Sequence, residues 1–188
     1  MDIVKSLKYP FKDEEWTKKL LIGSLLTAAS IFIIPIFTVL GYLLRVLRED
    51  SLPGFNDLGQ MTIEGFKAAI IFSIYAAIPL ALIFSPEGSI LYYTGGILYL
   101  VSGYLMYSVF YEIANNGWKA AFSKQVLKNA FTIEYFGASI AAGLISWLIM
   151  IPYVLSLILI VPIILFPAVY LYQYIFMFRL MKTAIESE

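Results

Sequence analysis

A run of more than forty residues without one charged side chain, Tyr135–Phe178, constrains this fold more than any other feature of the sequence. A membrane-spanning helix needs about 20 apolar residues, so the run is about twice the length of one span and must fold back once. Pro152–Ser156 is the predicted turn region, and Pro162 and Pro167 are expected to kink or break the final helix. The run therefore predicts two antiparallel membrane spans.

Three further apolar stretches come earlier in the chain: Leu20–Leu44, Ala68–Phe84 and Ile90–Tyr111. The second and third are joined by Ser85–Ser89, a connection so short that it predicts an antiparallel hairpin. The chain is 61% hydrophobic and 14% charged, whereas soluble domains carry about 25% charged residues. A soluble core could not bury that much apolar surface, so the sequence predicts an all-α, polytopic transmembrane helical bundle with amphipathic interfacial helices.

The first stretch, Leu20–Leu44, is compatible with two topologies. If it crosses the membrane once, the chain has five spans, and the five lysines before the stretch lie opposite the other eight basic residues. If Pro35 is instead the tip of a re-entrant hairpin, all thirteen basic residues lie on one side, opposite Glu87 alone. Basic residues in short loops prefer the cytoplasm. The charges therefore favour four spans plus a re-entrant hairpin in the plasma membrane, with both termini cytoplasmic.

This pattern divides a single membrane domain into seven segments. They are a cytoplasmic N-terminal segment (1–19), a re-entrant or spanning helix (20–44), an amphipathic loop (45–67), a transmembrane hairpin (68–111), a second amphipathic loop (112–134), a second transmembrane hairpin (135–178) and a tail (179–188). In the first loop, Asn56 or Asp57 can cap a helix. In the second, Trp118, Phe122 and Leu127 can lie in the membrane interface. No cleaved signal peptide is expected at the N-terminus.

Histidine and cysteine are both absent from the chain. Disulfides, thiolate nucleophiles and cysteine-ligated metals are therefore excluded, and so is histidine as general base or metal ligand. No phosphate-binding loop or hydrolase elbow motif is present. Equal numbers of acidic and basic residues argue against a nucleic-acid partner. We therefore expect no catalytic residue, metal or cofactor, and no enzyme activity.

A few charged residues beside the apolar stretches are candidate functional positions. Glu112 and Glu134 lie at the ends of predicted spans, where pairing with Lys119 or Lys128 is expected. The predicted contacts to lipid headgroups are Arg45, Arg48, Lys119, Lys124 and Lys128. Arg45 and Arg48 lie three residues apart on one helical face, where they could instead pair with Glu49, Asp50 or Asp57.

The apolar stretches also contain small residues and tyrosines whose spacing predicts how the helices pack. Overlapping small-xxx-small pairs between Gly137 and Ser146 predict close helix packing, within the monomer or in an oligomer. On the third stretch, Tyr93, Tyr104, Tyr107 and Tyr111 lie near one face, and Tyr170 and Tyr174 share a face further on. Interfacial anchoring and interhelical hydrogen bonds are the common uses of such tyrosines, and a hydroxyl-lined cavity is the alternative.

Several motifs in the first 70 residues resemble a known pattern. They are Tyr9-Pro10-Phe11 with Asp13 and Trp16, Lys19–Gly23, Gly41–Arg48, Leu52-Pro53 with Asp57, and Gly65-Phe66-Lys67. This pattern resembles the mostly archaeal membrane family called domain of unknown function 4013, and Gly41–Arg48 is its most specific element. The later stretches resemble the family in hydropathy more than in motif. The resemblance implies a small prokaryotic integral membrane protein and supplies no activity, substrate or catalytic residue.

The function predicted from these features is that of a non-catalytic membrane subunit or scaffold, which acts through helix packing and contacts with lipid or protein. The expected partners are the bilayer and either further copies of the chain or other membrane proteins. A small-solute transporter or channel built on a broken first helix is the alternative, because re-entrant helices commonly line such pathways.

Overall fold

A computed structural model describes residues 2–155 and 161–187 of the chain. All regular structure in these residues is helical, which confirms the all-α prediction. The α-helices are α1 (Ile3–Lys8), α2 (Trp16–Ala28), α3 (Ile33–Arg48), α4 (Leu58–Ile83), α5 (Ile90–Asn116), α6 (Lys124–Ala130), α7 (Ile133–Leu155) and α8 (Val161–Ile185). Short 3₁₀ helices occupy Pro10–Lys12, Ala29–Ile31 and Trp118–Phe122.

Within the described residues, three helical segments have the length and composition needed to cross a membrane. They are Leu58–Ile83, Ile90–Asn116 and Ile133–Ile151, and an 18-residue window within each has a mean hydropathy of 2.1, 1.4 and 1.5, respectively. Large apolar side chains are exposed on all three, including Ile78, Leu100 and Trp147. Exposed apolar helices of this length suggest a membrane protein.

The first apolar stretch is broken into two helices. After α2, the chain passes through the 3₁₀ turn at Ala29–Ile31, and Phe32 is extended before α3 begins. The tip therefore lies at residues 29–32, and Pro35, the expected tip, is instead the third residue of α3. Proline has no N–H to donate and its ring clashes with the carbonyl group four residues earlier in a helix, so a position in the first turn suits Pro35.

The beginning of α2 lies next to the segment that follows α3. The Lys19 ammonium donates to the Leu52 carbonyl at 2.8 Å, and the Tyr9 hydroxyl donates to the Ser51 carbonyl at 2.5 Å. The two helices have 13 and 16 residues, which corresponds to lengths of about 20 and 24 Å. They form a helical hairpin that returns the chain to the end from which it started.

Helices α3 and α4 pack with their backbones in close approach. A Cβ added at Gly41 would collide with the Met61 carbonyl, and one added at Gly65 would collide with the Phe37 carbonyl. Glycine at both positions permits this approach, as in other close helix crossings. The Thr38 and Thr62 hydroxyls are hydrogen-bonded at 2.7 Å across the same interface.

Helix α4 begins earlier than the sequence predicted. Asp57 is its N-cap and accepts from the Gln60 amide at 3.2 Å, which confirms one of the two expected caps. The residues expected to form a separate amphipathic segment before Ala68 are instead the first turns of the same helix. Pro79 lies inside α4 without ending it, a position that transmembrane helices tolerate.

The connection after α5 consists of two short helices. Gly117 ends α5 with φ at +82°, a conformation that a side chain would disfavour. The 3₁₀ helix Trp118–Phe122 follows, and the extended residue Ser123 separates it from α6. The second amphipathic segment is therefore bent between its two parts.

Helices α7 and α8 form the last hairpin. Of the predicted turn Pro152–Ser156, the residues through Leu155 belong to α7, and Ser156 lies outside the described residues. Pro162 and Pro167 both lie within α8, which continues without a break to Ile185, so neither proline ends it.

The charged ends of these helices meet at one end of the bundle, which we call the polar base. It comprises residues 2–19, 45–67, 112–134 and 179–187. Side chains connect its parts: Arg48 bonds to Ala114, Arg179 to Glu49, and Tyr111 to Glu186. The buried core is concentrated next to it, since α5 is buried around Met106–Ala114 but exposed around Ile97–Val101. The half of the α4–α5 hairpin far from the base therefore contributes little to the buried core.

Candidate functional site: the polar base

The carbonyl end of α3 is held by side chains from two other parts of the chain, Arg179 of α8 and Tyr9. Arg179 donates from one terminal nitrogen to the carbonyls of Val46 and Glu49, at 3.2 and 2.8 Å. Its guanidinium group lies 4.1 Å from the centre of the Tyr9 ring. Carbonyl groups at a helix end lack intrahelical partners and carry partial negative charge, so a buried cation stabilises them.

Neighbouring cations lower the pKa values of two carboxylates on this side of the base. Lys182, and after it Arg179, holds the pKa of Asp50 below its ordinary value, with the Lys182 nitrogen 3.5 Å from the carboxylate. The hydrogen bond from Lys19, at 2.8 Å, likewise lowers the pKa of Asp13. Burial raises the pKa of the Tyr9 phenol, which is neutral at physiological pH and donates to backbone carbonyls.

Arg45 and Arg48 are paired, but with a partner that the sequence did not predict. Glu64 of α4 lies 3.7 Å from Arg45 and 3.9 Å from Arg48. The pairing expected with Glu49, Asp50 or Asp57 is therefore wrong. Arg48 also donates to the Ala114 carbonyl at 2.8 Å and so joins α3 to the end of α5. Both arginines are engaged within the protein, and Arg48 alone keeps close to half of its side chain exposed.

The Glu112 carboxylate is 3% exposed and is held by amide groups. Asn116 donates to one of its oxygens at 2.8 Å, and Asn129 of α6 donates to the other at 2.9 Å. Gln125 donates in turn to the Asn129 side-chain oxygen at 2.7 Å. The expected pairing with Lys119 or Lys128 is thus replaced by neutral donors, which satisfy the carboxylate and fix α6 against α5.

Glu134 and the three candidate lysines of the second connection lie on the surface. Glu134, Lys119, Lys124 and Lys128 are all exposed. Trp118, Phe122 and Leu127 are exposed beside them, at 54%, 54% and 49%. This combination of aromatic and basic side chains on short helices is typical of a segment that lies in a membrane interface.

Three of the six tyrosine hydroxyls singled out in the sequence connect α5 to other parts of the chain. Tyr104 donates to the Ala130 carbonyl at 2.6 Å, Tyr111 to Glu186 at 3.4 Å, and Tyr107 to the sulfur of Met177. Tyr170 and Tyr174 are bonded to each other at 2.9 Å, and Tyr93 is exposed. Interhelical and local hydrogen bonding accounts for the five hydroxyls other than that of Tyr93.

Beside the break in the first stretch is a groove of about 600 Å³. It is lined on one side by Thr27, Ser30 and Ile36 and on the other by Pro167 and Tyr170 of α8. The Thr27 and Ser30 hydroxyls donate to carbonyls of their own helix, so the groove presents mainly apolar surface. Pro35 lies in the helix that forms one wall of this groove.

The polar base supplies side chains that bond to helix ends, and its carboxylates are dispersed. Among residues 2–155 and 161–187, no three acidic side chains come close enough to hold a metal ion. Sequence reasoning missed Arg179, Lys182, Asn129 and Gln125. For the first two a signal existed, because they lie three residues apart on one helical face directly after the charge-free run. Asn129 and Gln125 carry no charge, and no pattern in the sequence indicated a role for them.

A family model described as "Protein of unknown function (DUF4013)" matches residues 25–184. The match includes α3 with its Gly41–Arg48 motif and extends through α7 and α8, where the sequence had shown agreement in hydropathy more than in motif. The motifs before residue 25 lie outside it. No curated protein and no solved structure matches the chain.

Proposed function

The chain belongs to this family of unknown function, so its role must be inferred from its own residues, and we propose that it is a multi-pass membrane protein acting without catalysis, as a scaffold or subunit. The observation that supports this proposal is that charged residues and exposed apolar residues lie on separate parts of the protein. Within the described residues, every charged side chain except Glu87 belongs to the polar base, where several form internal contacts, whereas the long helices present exposed apolar side chains.

The outward face of α7 is the best candidate for contact with another membrane protein. Leu144, Trp147 and Leu148 are 63%, 74% and 64% exposed there, and a Cβ added at Gly143 would meet nothing within 4 Å. Small residues between large apolar ones let a second helix approach closely in lipid. A partner helix, from another copy or another protein, would fit this face.

The first stretch is re-entrant in this proposal, and both termini are cytoplasmic. The support is that the α2–α3 hairpin returns to the base, so that every basic residue of the chain belongs to one end. Basic residues near membrane segments favour the cytoplasm. The proposal of a non-enzymatic role is supported by the absence of histidine and cysteine and by the structural use of Glu64 and Glu112.

Single-cysteine labelling in intact cells tests the proposed topology, and the chain is naturally free of cysteine. Cysteines placed at Lys12, Ser51, Glu87 and Ser187 are exposed to a membrane-impermeant maleimide. We expect labelling at position 87 alone, with the other three labelled only after the membrane is permeabilised. Labelling of positions 12 and 51 from opposite sides would establish five spans and contradict the re-entrant hairpin.

Photo-cross-linking in native membranes tests the scaffold role. A photoreactive residue replaces Leu144 or Trp147 on the outward face, and the matched control replaces Ala142, which is 1% exposed. We expect a protein adduct of one reproducible mass from the outward positions and no intermolecular adduct from position 142. Adducts to lipid alone from α4, α5 and α7 would contradict a scaffold.

A small-solute transporter or channel is the second candidate, and the groove of about 600 Å³ beside the hairpin tip favours it. Broken helices in transporters expose backbone groups to the transported solute. Solute flux into liposomes would be compared for the wild type, Ala28→Trp in the groove, and Ala81→Trp on the exposed face of α4. Flux abolished by the first substitution and kept by the second would favour transport over scaffolding.

A further inference from the structure

A small basic pocket lies at the polar base between α1 and the end of α8. Its volume is about 260 Å³, and its charged lining consists of Lys5, Lys12, Arg179 and Asp50. Tyr9, stacked under the Arg179 guanidinium group, also lines it. Three cations and one anion give the pocket a net charge of +2, although the whole chain is neutral.

Two of these cations are free to bind a ligand. Lys5 and Lys12 are exposed and have no ion pair with any residue that the structure describes. Arg179 is different, because its side chain is 8% exposed and forms the floor of the pocket. A buried guanidinium group with two exposed ammonium groups beside it suits an oxyanion such as phosphate.

Asp50 indicates where the oxyanion belongs. Its side chain is 94% exposed, yet its carboxylate lies 3.5 Å from both the Arg179 and Lys182 nitrogens. The two contacts of Asp50 are long, and both are made with Arg179 and Lys182. Among the described residues, Lys5 and Lys12 therefore have no paired carboxylate. The pocket therefore attracts anions more strongly than its own carboxylate can satisfy.

The surroundings of the pocket favour a lipid as the source of the phosphate. Val4 and Phe11 are 58% and 50% exposed next to Lys5 and Lys12 in the sequence, and Phe11 packs edge-on against Trp16. Aromatic side chains beside lysines are typical of the membrane–water interface. We propose that this pocket binds the phosphate of an anionic lipid headgroup. The inference rests on the proposed function only in that the polar base must lie at a membrane surface.

Lipid retention by the purified full-length protein tests the proposal, measured by native mass spectrometry during titration with phosphatidylglycerol or phosphatidylcholine. We compare the wild type with Lys5→Ala/Lys12→Ala and with the control Lys18→Ala/Lys67→Ala, which removes two exposed lysines elsewhere on the base. We expect the first double variant to bind phosphatidylglycerol on the order of tenfold more weakly and the control to bind like the wild type. Equal retention by all three proteins, or equal loss in both variants, would overturn the proposal.

Two further arms identify the ligand chemistry. Asp50→Asn removes the competing carboxylate, so we expect it to strengthen phosphatidylglycerol retention, and weaker retention with an unchanged melting temperature would count against the pocket. Inorganic phosphate at millimolar concentration should not displace the lipid, and displacement would assign the pocket to the free anion. The topology experiment can fail while lysine-dependent retention persists, so the two proposals are tested separately.

Discussion

Single residues in the polar base connect segments that are far apart in the sequence, and Arg179 is the clearest case. It bonds to two carbonyls at the end of α3 and covers the Tyr9 ring. We expect Arg179→Lys to lower the free energy of unfolding by about 1.5–3 kcal/mol, because an ammonium group cannot reproduce the planar contacts of a buried guanidinium group.

Thermal unfolding in detergent, followed by helical circular dichroism, measures this loss. Lys128→Arg is the matched control, because Lys128 is exposed and has no comparable contacts to lose. An unchanged melting temperature for Arg179→Lys would show that the positive charge suffices and that the geometry of the guanidinium group does not matter.

The buried Glu112 carboxylate gives a second prediction at this scale. Asn129→Ala removes a donor to a group that is 3% exposed, so it should destabilise the protein by about 1–3 kcal/mol. Glu134→Gln, on the exposed surface of α7, should change stability by less than about 1 kcal/mol. Chemical unfolding of both variants checks the contrast, and equal effects would mean that the amide network adds no stability.

The Asp13–Lys19 pair predicts a dependence on pH. Because the pKa of Asp13 is lowered from 3.8 in the folded protein, its stabilising effect is fully present above that value and is lost as pH falls through the folded pKa. Melting temperatures of the wild type and Asp13→Asn should therefore differ at pH 6 and converge below pH 3.8. A constant difference across this range would exclude ionisation of Asp13 as the cause.

How well residues could be predicted depended on how local their partners are. Asp57 was among the expected caps because capping obeys a local rule, in which the side chain bonds to a backbone group three residues on. The partner of Arg45 and Arg48 was predicted wrongly because Glu64 lies on the next helix, after a connection that changes direction. Asn129 reaches Glu112 from another helix and carries no charge to mark it.

At the scale of helices, the crossing of α3 and α4 depends on the absence of side chains. Gly41→Ala should lower the free energy of unfolding by about 1–3 kcal/mol, because the new Cβ would collide with the Met61 carbonyl and separate the helices. Gly103→Ala, which meets nothing within 4 Å, should be neutral or slightly stabilising, since alanine favours helix.

The comparison is made by melting temperature under identical detergent conditions. If Gly41→Ala and Gly103→Ala lowered the melting temperature by similar amounts, the loss of stability would come from the alanine methyl group itself and not from the helix crossing. The Gly41–Arg48 motif of the sequence thereby gains a physical explanation, since its glycine allows the crossing and its two arginines pair with Glu64 further along the partner helix.

Prolines located helix breaks only approximately from the sequence. Pro35 correctly indicated a break in the first stretch, but the tip lies at residues 29–32, because proline is accommodated in the first turn of the following helix. Pro79 and Pro167 lie within continuous helices. Whether a proline ends a helix depends on packing by neighbouring helices, which one sequence does not reveal.

For the whole molecule, the hairpin predicts a proximity that a single span would forbid. Lys18 and Asn56 line the same pocket of about 370 Å³ at the base. Cysteines at these two positions should be joined by a short bis-maleimide in native membranes, whereas a pair at Lys18 and Glu87 should not. Failure of the first pair to react, with each single cysteine accessible, would place them at opposite ends of the molecule.

At this scale the distribution of charge was the most informative property of the sequence. It favoured a topology in which all basic residues share one end, and the hairpin returns residues 2–19 to that end. The same distribution could not reveal that most of the core lies next to the base. That feature depends on which apolar faces meet, and apolar faces of similar composition are interchangeable in a sequence.

The contact between Arg179 and Val46, 133 residues apart, also has a consequence for how the protein is made. A ribosome adds about 5–20 residues per second. On the order of ten seconds therefore pass between the synthesis of α3 and that of Arg179, which covers its carbonyl end. During that interval the N-terminal hairpin must be held by the insertion machinery or by its contacts with α4. Nascent chains arrested before α8 should therefore expose the end of α3 to proteases, and the released full-length chain should protect it.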